Sequence, residues 1–238
     1  MSLIFNSDNI LASCQRTLTI GAIVVASVSV AACGKSEEPT LRGVTRTPAP
    51  SVANITLPDV TAGRHGRPFV MKAARGGLLI VYFGYTACPD VCPTTLADIK
   101  GAIAKLPPAQ RKLVTPVMAT NDPARDTPAV MNGYLSHFFR SWRALRSTSK
   151  TDFAKAERAF NASHKRGPAN EYGSYEISHT AVTYAVNDQG LIVVEWPFGT
   201  SSAIMATDIN QILTKQQANL QSKSAIQPTK PASPLNGE

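Results

Sequence analysis

The chain has 238 residues, a length that suits one compact domain with flanking segments. Its hydrophobic fraction of 43% and charged fraction of 17% are ordinary for a globular protein and exclude a wholly disordered chain. The formal net charge of +8 favours contact with an anionic membrane or an acidic partner. No motif supports a nucleic-acid partner, so none is predicted.

The first 32 residues are predicted to be a signal peptide of the lipoprotein type, cleaved before Cys33. Arg16 precedes an apolar run at residues 18–32 that ends in small side chains. A charged start, a short apolar core and a small-residue exit are typical of a secretory signal. The sequence VAAC, which ends at Cys33, also resembles a bacterial lipobox, in which the cysteine carries the lipid. Because the run is shorter than the roughly 20 residues of a spanning helix, we expect a lipid-anchored domain on the outer, extracytoplasmic face of a bacterial membrane.

The predicted folded domain spans residues 54–215 and lies between two polar segments. Residues 33–53 are polar and contain several prolines, which predicts a flexible tether. Residues 216–238 are rich in Gln, Ser, Lys and Pro and show no apolar period, which predicts a disordered tail.

Apolar periodicity predicts alternating strands and helices within the domain. The first core strand is Leu78–Phe83, whose continuous apolar side chains suit a strand buried on both faces. The other predicted elements are, in chain order, short strands near 55–57 and 68–71, a helix over 94–106, a strand over 113–119, a helix over 127–139, a strand over 142–145, a helix over 150–161, strands over 180–186 and 191–195, and a helix over 201–214. This order predicts an α/β fold, a thioredoxin-like sandwich with an added N-terminal β-hairpin.

Two cysteines remain in the domain once the signal is removed and Cys33 carries a lipid. Cys88 and Cys92 follow the first core strand within the segment CPDVCP. A strand-to-helix junction places them at the carboxyl edge of the sheet, where open α/β folds bind ligands. Since Pro93 suits a helix start, Cys92 is expected at a helix N-terminus whose dipole favours the thiolate, an effect that the charge of Asp90 opposes. The two thiols must be bonded to each other, bound to a metal, or reactive.

A third metal ligand is expected at His179. Two thiolates are soft ligands that suit Cu(I) or Zn(II), and two sulfurs alone leave a site open. His179 directly precedes a predicted strand, in a loop that a thioredoxin-like fold brings beside the cysteine loop. Redox members of that superfamily carry a cis-proline there, and the segment EISHT has none, which argues against a redox enzyme. The other histidines, His65, His137 and His164, are expected to be ordinary surface or packing residues.

Three segments, in the same order along the chain, resemble the Sco/SenC family. LIVYFGYTACPDVCPTTL at residues 79–96 is similar to the family's CPxxCP segment after the first core strand. DPARDTP at residues 122–128 resembles its DPxRDTP loop, and HTA at residues 179–181 resembles its histidine before a core strand. The chain has Ser178 where family members often carry an acidic residue, and Ala87 where they often carry a histidine.

The resemblance implies a copper metallochaperone of cytochrome c oxidase assembly, and not an enzyme. One copper ion, as Cu(I) or Cu(II), would be bound by Cys88, Cys92 and His179 and delivered to the binuclear copper centre of the oxidase. The implied partners are the copper-bearing oxidase subunit or another copper chaperone. Asp122 and Asp90 are expected near the metal, where they orient ligands or contact a partner, although a plain loop role for Asp122 stays open.

A thiol–disulfide reductase acting on the cysteines of that copper site is the main alternative. In that case Cys88 and Cys92 would cycle between dithiol and disulfide. The CxxxC spacing, instead of CxxC, and the absent proline argue against it. A copper or redox sensor is not distinguished from a chaperone by the sequence, and a structural disulfide in a binding module also stays open.

Overall fold

The structure, a computed structural model, describes residues 40–226. The strands are β1 (Thr56–Asp59), β2 (Arg67–Val70), β3 (Leu78–Gly84), β4 (Val114–Thr120), β5 (Arg143–Leu145), β6 (His164–Arg166), β7 (Ile177–His179), β8 (Val182–Val186) and β9 (Ile192–Pro197). The helices are α1 (Val91–Lys105), α2 (Pro108–Arg111), α3 (Pro128–Ser136), α4 (Lys150–Phe160) and α5 (Ser202–Ile226). The predicted signal peptide and lipidated Cys33 lie outside the described residues.

One seven-stranded mixed sheet forms the centre of the domain, in the order β2-β1-β5-β4-β3-β8-β9. Strand β3 pairs in parallel with β4 and antiparallel with β8, and all its residues are buried. Helices α1, α3 and α5 contribute to the apolar core on one face, and α4 contributes to the core on the other. This covering of both faces explains why β3 has a continuous apolar sequence instead of an alternating one, and the predicted α/β class is confirmed.

The predicted N-terminal hairpin is present and belongs to the main sheet. Strands β1 and β2 pair antiparallel, with Thr56 opposite Val70. Strand β1 also pairs with β5 through Asp59 and Leu145. The hairpin therefore extends the sheet at the edge remote from β9.

The described part of the predicted tether lies against the domain, which corrects the expectation of a flexible segment for residues 40–53. The backbone N–H groups of Arg42 and Gly43 donate to the carboxylate of Asp208, each at 2.9 Å. Val44 forms a bridge with Glu195, and Val52 is fully buried. The polar composition of the segment led to the wrong expectation. Composition does not show that the backbone groups of the segment form hydrogen bonds with the domain.

Helix α5 continues to Ile226, which corrects the predicted disordered tail over residues 216–226. The segment contains good helix formers such as Gln, Ala, Leu and Lys. Gln217 also donates from Nε2 to the carbonyl oxygen of Gly76 at 3.1 Å. The side chains of residues 221–224 are exposed, so the apolar period by which a helix is recognised is absent there.

The two-stranded sheet formed by β6 and β7 was not predicted. All three residues of β6 are exposed, so the strand has no apolar alternation. His164 on β6 lies opposite His179 on β7 in the antiparallel register.

Within residues 40–226, no helix combines the length and the apolar composition that crossing a bilayer requires.

Candidate metal centre

The side chains of Cys88, Cys92 and His179 converge beyond the carboxyl end of β3. One potential ligand atom from each residue lies within 4.8 Å of the other two. The Sγ atom of Cys92 is 3.5 Å from Nε2 of His179, and the Cys92 backbone N–H donates to Sγ of Cys88 at 3.3 Å. Both cysteines are free thiols. The structure thus brings together the three residues that the sequence selected as metal ligands.

Three segments of the chain position these ligands. Strand β3 ends at Gly84, and helix α1 begins at Val91, so Cys88 lies on the connecting loop and Cys92 in the first helical turn. Glycine is required at position 84, because a Cβ atom there would lie 2.6 Å from the ring of Tyr82 and 3.0 Å from Sγ of Cys92. The third ligand comes from the end of β7.

A backbone hydrogen bond sets the tautomer of His179. Its Nδ1 lies 3.2 Å from the carbonyl oxygen of Thr180, which only a protonated Nδ1 can use as an acceptor. The lone pair on Nε2 then faces Sγ of Cys92, the direction required of a metal ligand. Burial lowers the pKa of His179 and so favours the neutral ring. The rings of Tyr82 and Tyr85 pack edge-on against the imidazole, each with centroids 5.9 Å away.

Burial dominates the acid–base behaviour of Cys92. The side chain is 0% exposed, and desolvation raises the pKa of its thiol to about 12. The hydroxyl of Tyr82, 3.5 Å from Sγ, opposes this rise as a hydrogen-bond donor. Burial thus favours the protonated thiol in the metal-free protein, against the preference for a thiolate that is expected at a helix N-terminus.

The donor set fits copper. At metal–ligand distances of about 2.0–2.3 Å, three ligands around one ion lie roughly 4 Å apart, close to the separations found here. Two sulfurs and a neutral imidazole nitrogen are the soft and intermediate donors that suit Cu(I). An open cleft of about 300 Å³ lies over the ligands and includes Cys88 and His179 in its wall. Cys88 and His179 are therefore reachable from solvent, whereas Cys92 is buried behind them.

The acidic candidates occupy different places. Asp90 lines this ligand cleft together with Glu176, but no hydrogen bond joins it to a ligand atom in the described part of the chain. Asp122 is 3% exposed, forms an ion pair with Arg125 and accepts a hydrogen bond from the hydroxyl of Tyr175 at 2.8 Å. Asp122 thus holds Arg125 and Tyr175 in place beside the site and makes no hydrogen bond to Cys88, Cys92 or His179.

Arg125 connects Asp122 to the wall of the site. Its guanidinium lies over the ring of Tyr175 at 3.8 Å and over the ring of Tyr85 at 5.7 Å. Tyr85 in turn contacts His179. The segment after β4 is therefore packed against the wall that holds the histidine ligand.

Asp126 is the residue near the site that the sequence reasoning missed. It is fully buried and accepts hydrogen bonds from the backbone N–H and hydroxyl of Thr86 and from the hydroxyl of Thr120. Burial raises the pKa of this carboxyl, against the effect of those bonds. Since Thr86 begins the loop that carries Cys88, Asp126 fixes the start of that loop. The signal in the sequence was that Asp126 is the second aspartate of DPARDTP. A buried carboxylate needs several hydrogen-bond donors, and neighbouring loops had therefore to be searched for them.

The remaining histidines have other contacts. His164 pairs through Nδ1 with Glu157 at 2.6 Å and packs against Phe153. His137 ends α3, where its carbonyl oxygen accepts from Lys100. His65 lies in the turn between β1 and β2. None of the three contributes a ligand atom to the cluster, although His164 lies across the β6–β7 pair from His179.

Comparison with known proteins assigns the family. Residues 57–214, more than half of the chain, match the family model described as SCO1/SenC. The chain belongs to the SCO1/SenC family. The mitochondrial SCO2 homolog of Mus musculus is 33% identical over 160 residues, which are 66% of this chain and 62% of the mouse protein. The matches span about three fifths of the length of the first curated relatives.

Solved structures support the fold and the metal. Copper-bound ScoI of Bradyrhizobium japonicum superposes with a TM-score of 0.57 and 29% identity, over 66% of this chain and 96% of that chain. BsSco, described as a member of the Sco family of cytochrome c oxidase assembly proteins, shares the fold with a TM-score of 0.53 and 17% identity, over 74% and 98% of the two chains. The predicted thioredoxin-like fold and the choice of copper are confirmed.

Proposed function

We propose that the protein is a membrane-tethered metallochaperone that delivers copper to the binuclear copper centre of cytochrome c oxidase. The observation that carries this proposal is the convergence of Cys88, Cys92 and His179, two of which, Cys88 and His179, line an open cleft. Family membership supports it, because the compared Sco proteins include a copper-bound structure and a protein of oxidase assembly. The copper ion is then the cargo of the protein.

Unequal burial of the ligands suggests the order in which copper is released. Cys88 is partly exposed and His179 lines the cleft, whereas Cys92 is fully buried. A ligand from the partner can therefore replace Cys88 or His179 first, while Cys92 still holds the ion. Cys92 leaves last, and its thiol regains a proton because burial strongly favours the protonated form.

The lipid anchor and the partner belong to the same proposal. The lipobox-like sequence at Cys33 supports attachment to the outer face of a bacterial membrane. Anchoring would confine the chaperone to the surface on which a membrane-bound oxidase exposes its copper-bearing subunit. That subunit, or another copper chaperone, is the proposed partner.

Copper stoichiometry and transfer test the proposal. The reduced protein should bind one copper per chain and pass it to a purified copper-binding domain of the oxidase subunit. Cys88→Ser, Cys92→Ser and His179→Ala should each weaken binding at least tenfold. His137→Ala is the matched control, since His137 is exposed and is not among the clustered ligands. Copper binding that is absent in the reduced protein, or unaffected by His179→Ala, would contradict the proposal.

A thiol–disulfide reductase is the second candidate, and the proximity of the two thiols favours it. Cys88 and Cys92 are free, with sulfur atoms within 4.8 Å, so rotation of the side chains could form a disulfide. The dithiol would give two electrons and two protons to a partner disulfide and become oxidised. His179→Ala separates the functions: a reductase retains most of its activity in thiol–disulfide exchange, whereas a copper carrier loses transfer.

A further inference from the structure

A second cleft, of about 470 Å³, adjoins the copper site and takes no part in the proposed binding and release of copper. It lies among the segment after β4, the start of α4 and the β6–β7 hairpin. Ile177 lines both this cleft and the ligand cleft, and it lies two residues before His179 on β7. A molecule bound in the second cleft would therefore contact the strand that carries the histidine ligand.

Two cations line the second cleft without a carboxylate partner in the described part of the chain. Arg166 stacks on the ring of Tyr175 at 3.7 Å, which leaves the edge of its guanidinium free to donate hydrogen bonds. Lys150 is exposed and is the first residue of α4, where the helix dipole adds positive potential. Both cations can bind an anionic group without breaking an existing ion pair.

The two carboxylates in the wall leave the cleft with a net positive charge. Asp122 is paired with Arg125. Glu157 lies 2.6 Å from Nδ1 of His164, a contact that compensates its charge only when the imidazole is protonated. Even beside a neutral imidazole, the two free cations outnumber the one uncompensated carboxylate, so the cleft is electropositive.

Asn121 supplies an independent sign of a missing ligand. The residue lines the cleft and is 4% exposed, and neither Nδ2 nor Oδ1 has a hydrogen-bond partner among the described residues. A buried amide without partners is costly. One donor and one acceptor match the carbonyl and N–H groups of a peptide bond, whereas a simple inorganic anion would satisfy the donor alone.

We propose that this cleft binds an acidic peptide segment of the protein with which copper is exchanged. Its carboxylates would pair with Arg166 and Lys150, and a peptide group would pair with Asn121. Apolar parts of the wall, Phe153 and Ile177, suit the aliphatic portion of a glutamate side chain. The identity of the partner rests on the proposed function, but binding of an acidic peptide does not.

Titration of the reduced, metal-free protein with a blocked tetraglutamate peptide tests the inference. Nuclear magnetic resonance should show saturable shifts of the Asn121 side-chain amide. Arg166→Gln and Lys150→Gln should each weaken binding at least fivefold. Lys155→Gln, the same change at an exposed lysine of α4 that does not line the cleft, should leave affinity within a factor of two.

Two other ligands, tested in the same way, show whether both the charge and the peptide groups are recognised. A blocked tetraglutamine peptide and inorganic phosphate should each bind at least fivefold more weakly than tetraglutamate, because the first lacks the charges and the second cannot donate to Oδ1 of Asn121. Equal binding of phosphate, equal binding of tetraglutamine, or equal weakening by Lys155→Gln would overturn the proposal. Copper stoichiometry is measured separately, so a chain that binds copper but no peptide refutes the cleft and leaves the copper function standing.

Discussion

Replacing Asp126 with alanine removes the acceptor that holds the start of the cysteine loop. The carboxylate accepts from the N–H and hydroxyl of Thr86 and from the hydroxyl of Thr120. At about 1 kcal/mol for each net hydrogen bond, their loss costs about 3 kcal/mol of the free energy of unfolding. Relief of the desolvation that raises the pKa of Asp126 offsets part of this, so a loss of about 2 kcal/mol is expected.

Asp126→Ala should also weaken copper binding, by more than the loss of stability alone explains. Thr86 begins the loop that positions Cys88, so its release adds freedom that copper binding must remove again. Loss of groups that orient metal ligands commonly weakens metal binding by about 10- to 100-fold. We expect at least a tenfold loss of Cu(I) affinity in Asp126→Ala, measured by competition with a chromogenic chelator, beside urea unfolding of the metal-free protein.

Asp208 offers a matched control. It is also fully buried and accepts three hydrogen bonds, from the backbone N–H groups of Arg42 and Gly43 and from Nε1 of Trp196. Asp208→Ala should therefore lower stability by a similar amount, about 2–3 kcal/mol, but retain copper affinity within about threefold. Equal copper affinities in the two variants would refute the positioning role of Asp126.

Three further predictions concern the immediate surroundings of the ligands. Tyr82→Phe removes the hydroxyl that donates to Sγ of Cys92, so the thiolate-to-Cu(II) absorption band should move to longer wavelength; an unchanged spectrum would count against this hydrogen bond. Gly84→Ala should lower stability by about 1–3 kcal/mol and weaken copper binding at least tenfold, because the new methyl group meets Sγ of Cys92; chelator competition and urea unfolding measure both effects. Between pH 6 and 8, copper affinity should rise at least about tenfold per pH unit, because the thiol of Cys92, with its pKa near 12, must lose a proton on binding; competition at constant ionic strength that shows no pH dependence would exclude this linkage.

Local sequence signals were sufficient for the central strand and for the ligand cluster. The apolar run of β3 predicted a strand buried on both faces, and the cysteines directly after it predicted a site at the sheet edge. His179 was found because it precedes a strand that the predicted fold places beside the cysteine loop. These inferences depend on chain order and apolar pattern, which the sequence displays directly.

The surroundings of the ligands could not be predicted in the same way. The bonds of Asp126 to Thr86 join residues from separate loops, and this pairing arises only when β3 and β4 lie side by side. The protonated state of Cys92 follows from its complete burial, which local pattern does not specify. Strand β6 is exposed throughout and has no apolar period, so the sequence did not indicate the second cleft, which the β6–β7 hairpin lines.

X-ray absorption at the copper edge of the loaded, reduced protein tests the central claim most directly. We expect two sulfur ligands and one imidazole nitrogen in the wild-type chain, and loss of the nitrogen contribution in His179→Ala. A copper ion bound by sulfur alone in the wild-type chain, or identical spectra for the two proteins, would contradict the three-ligand site.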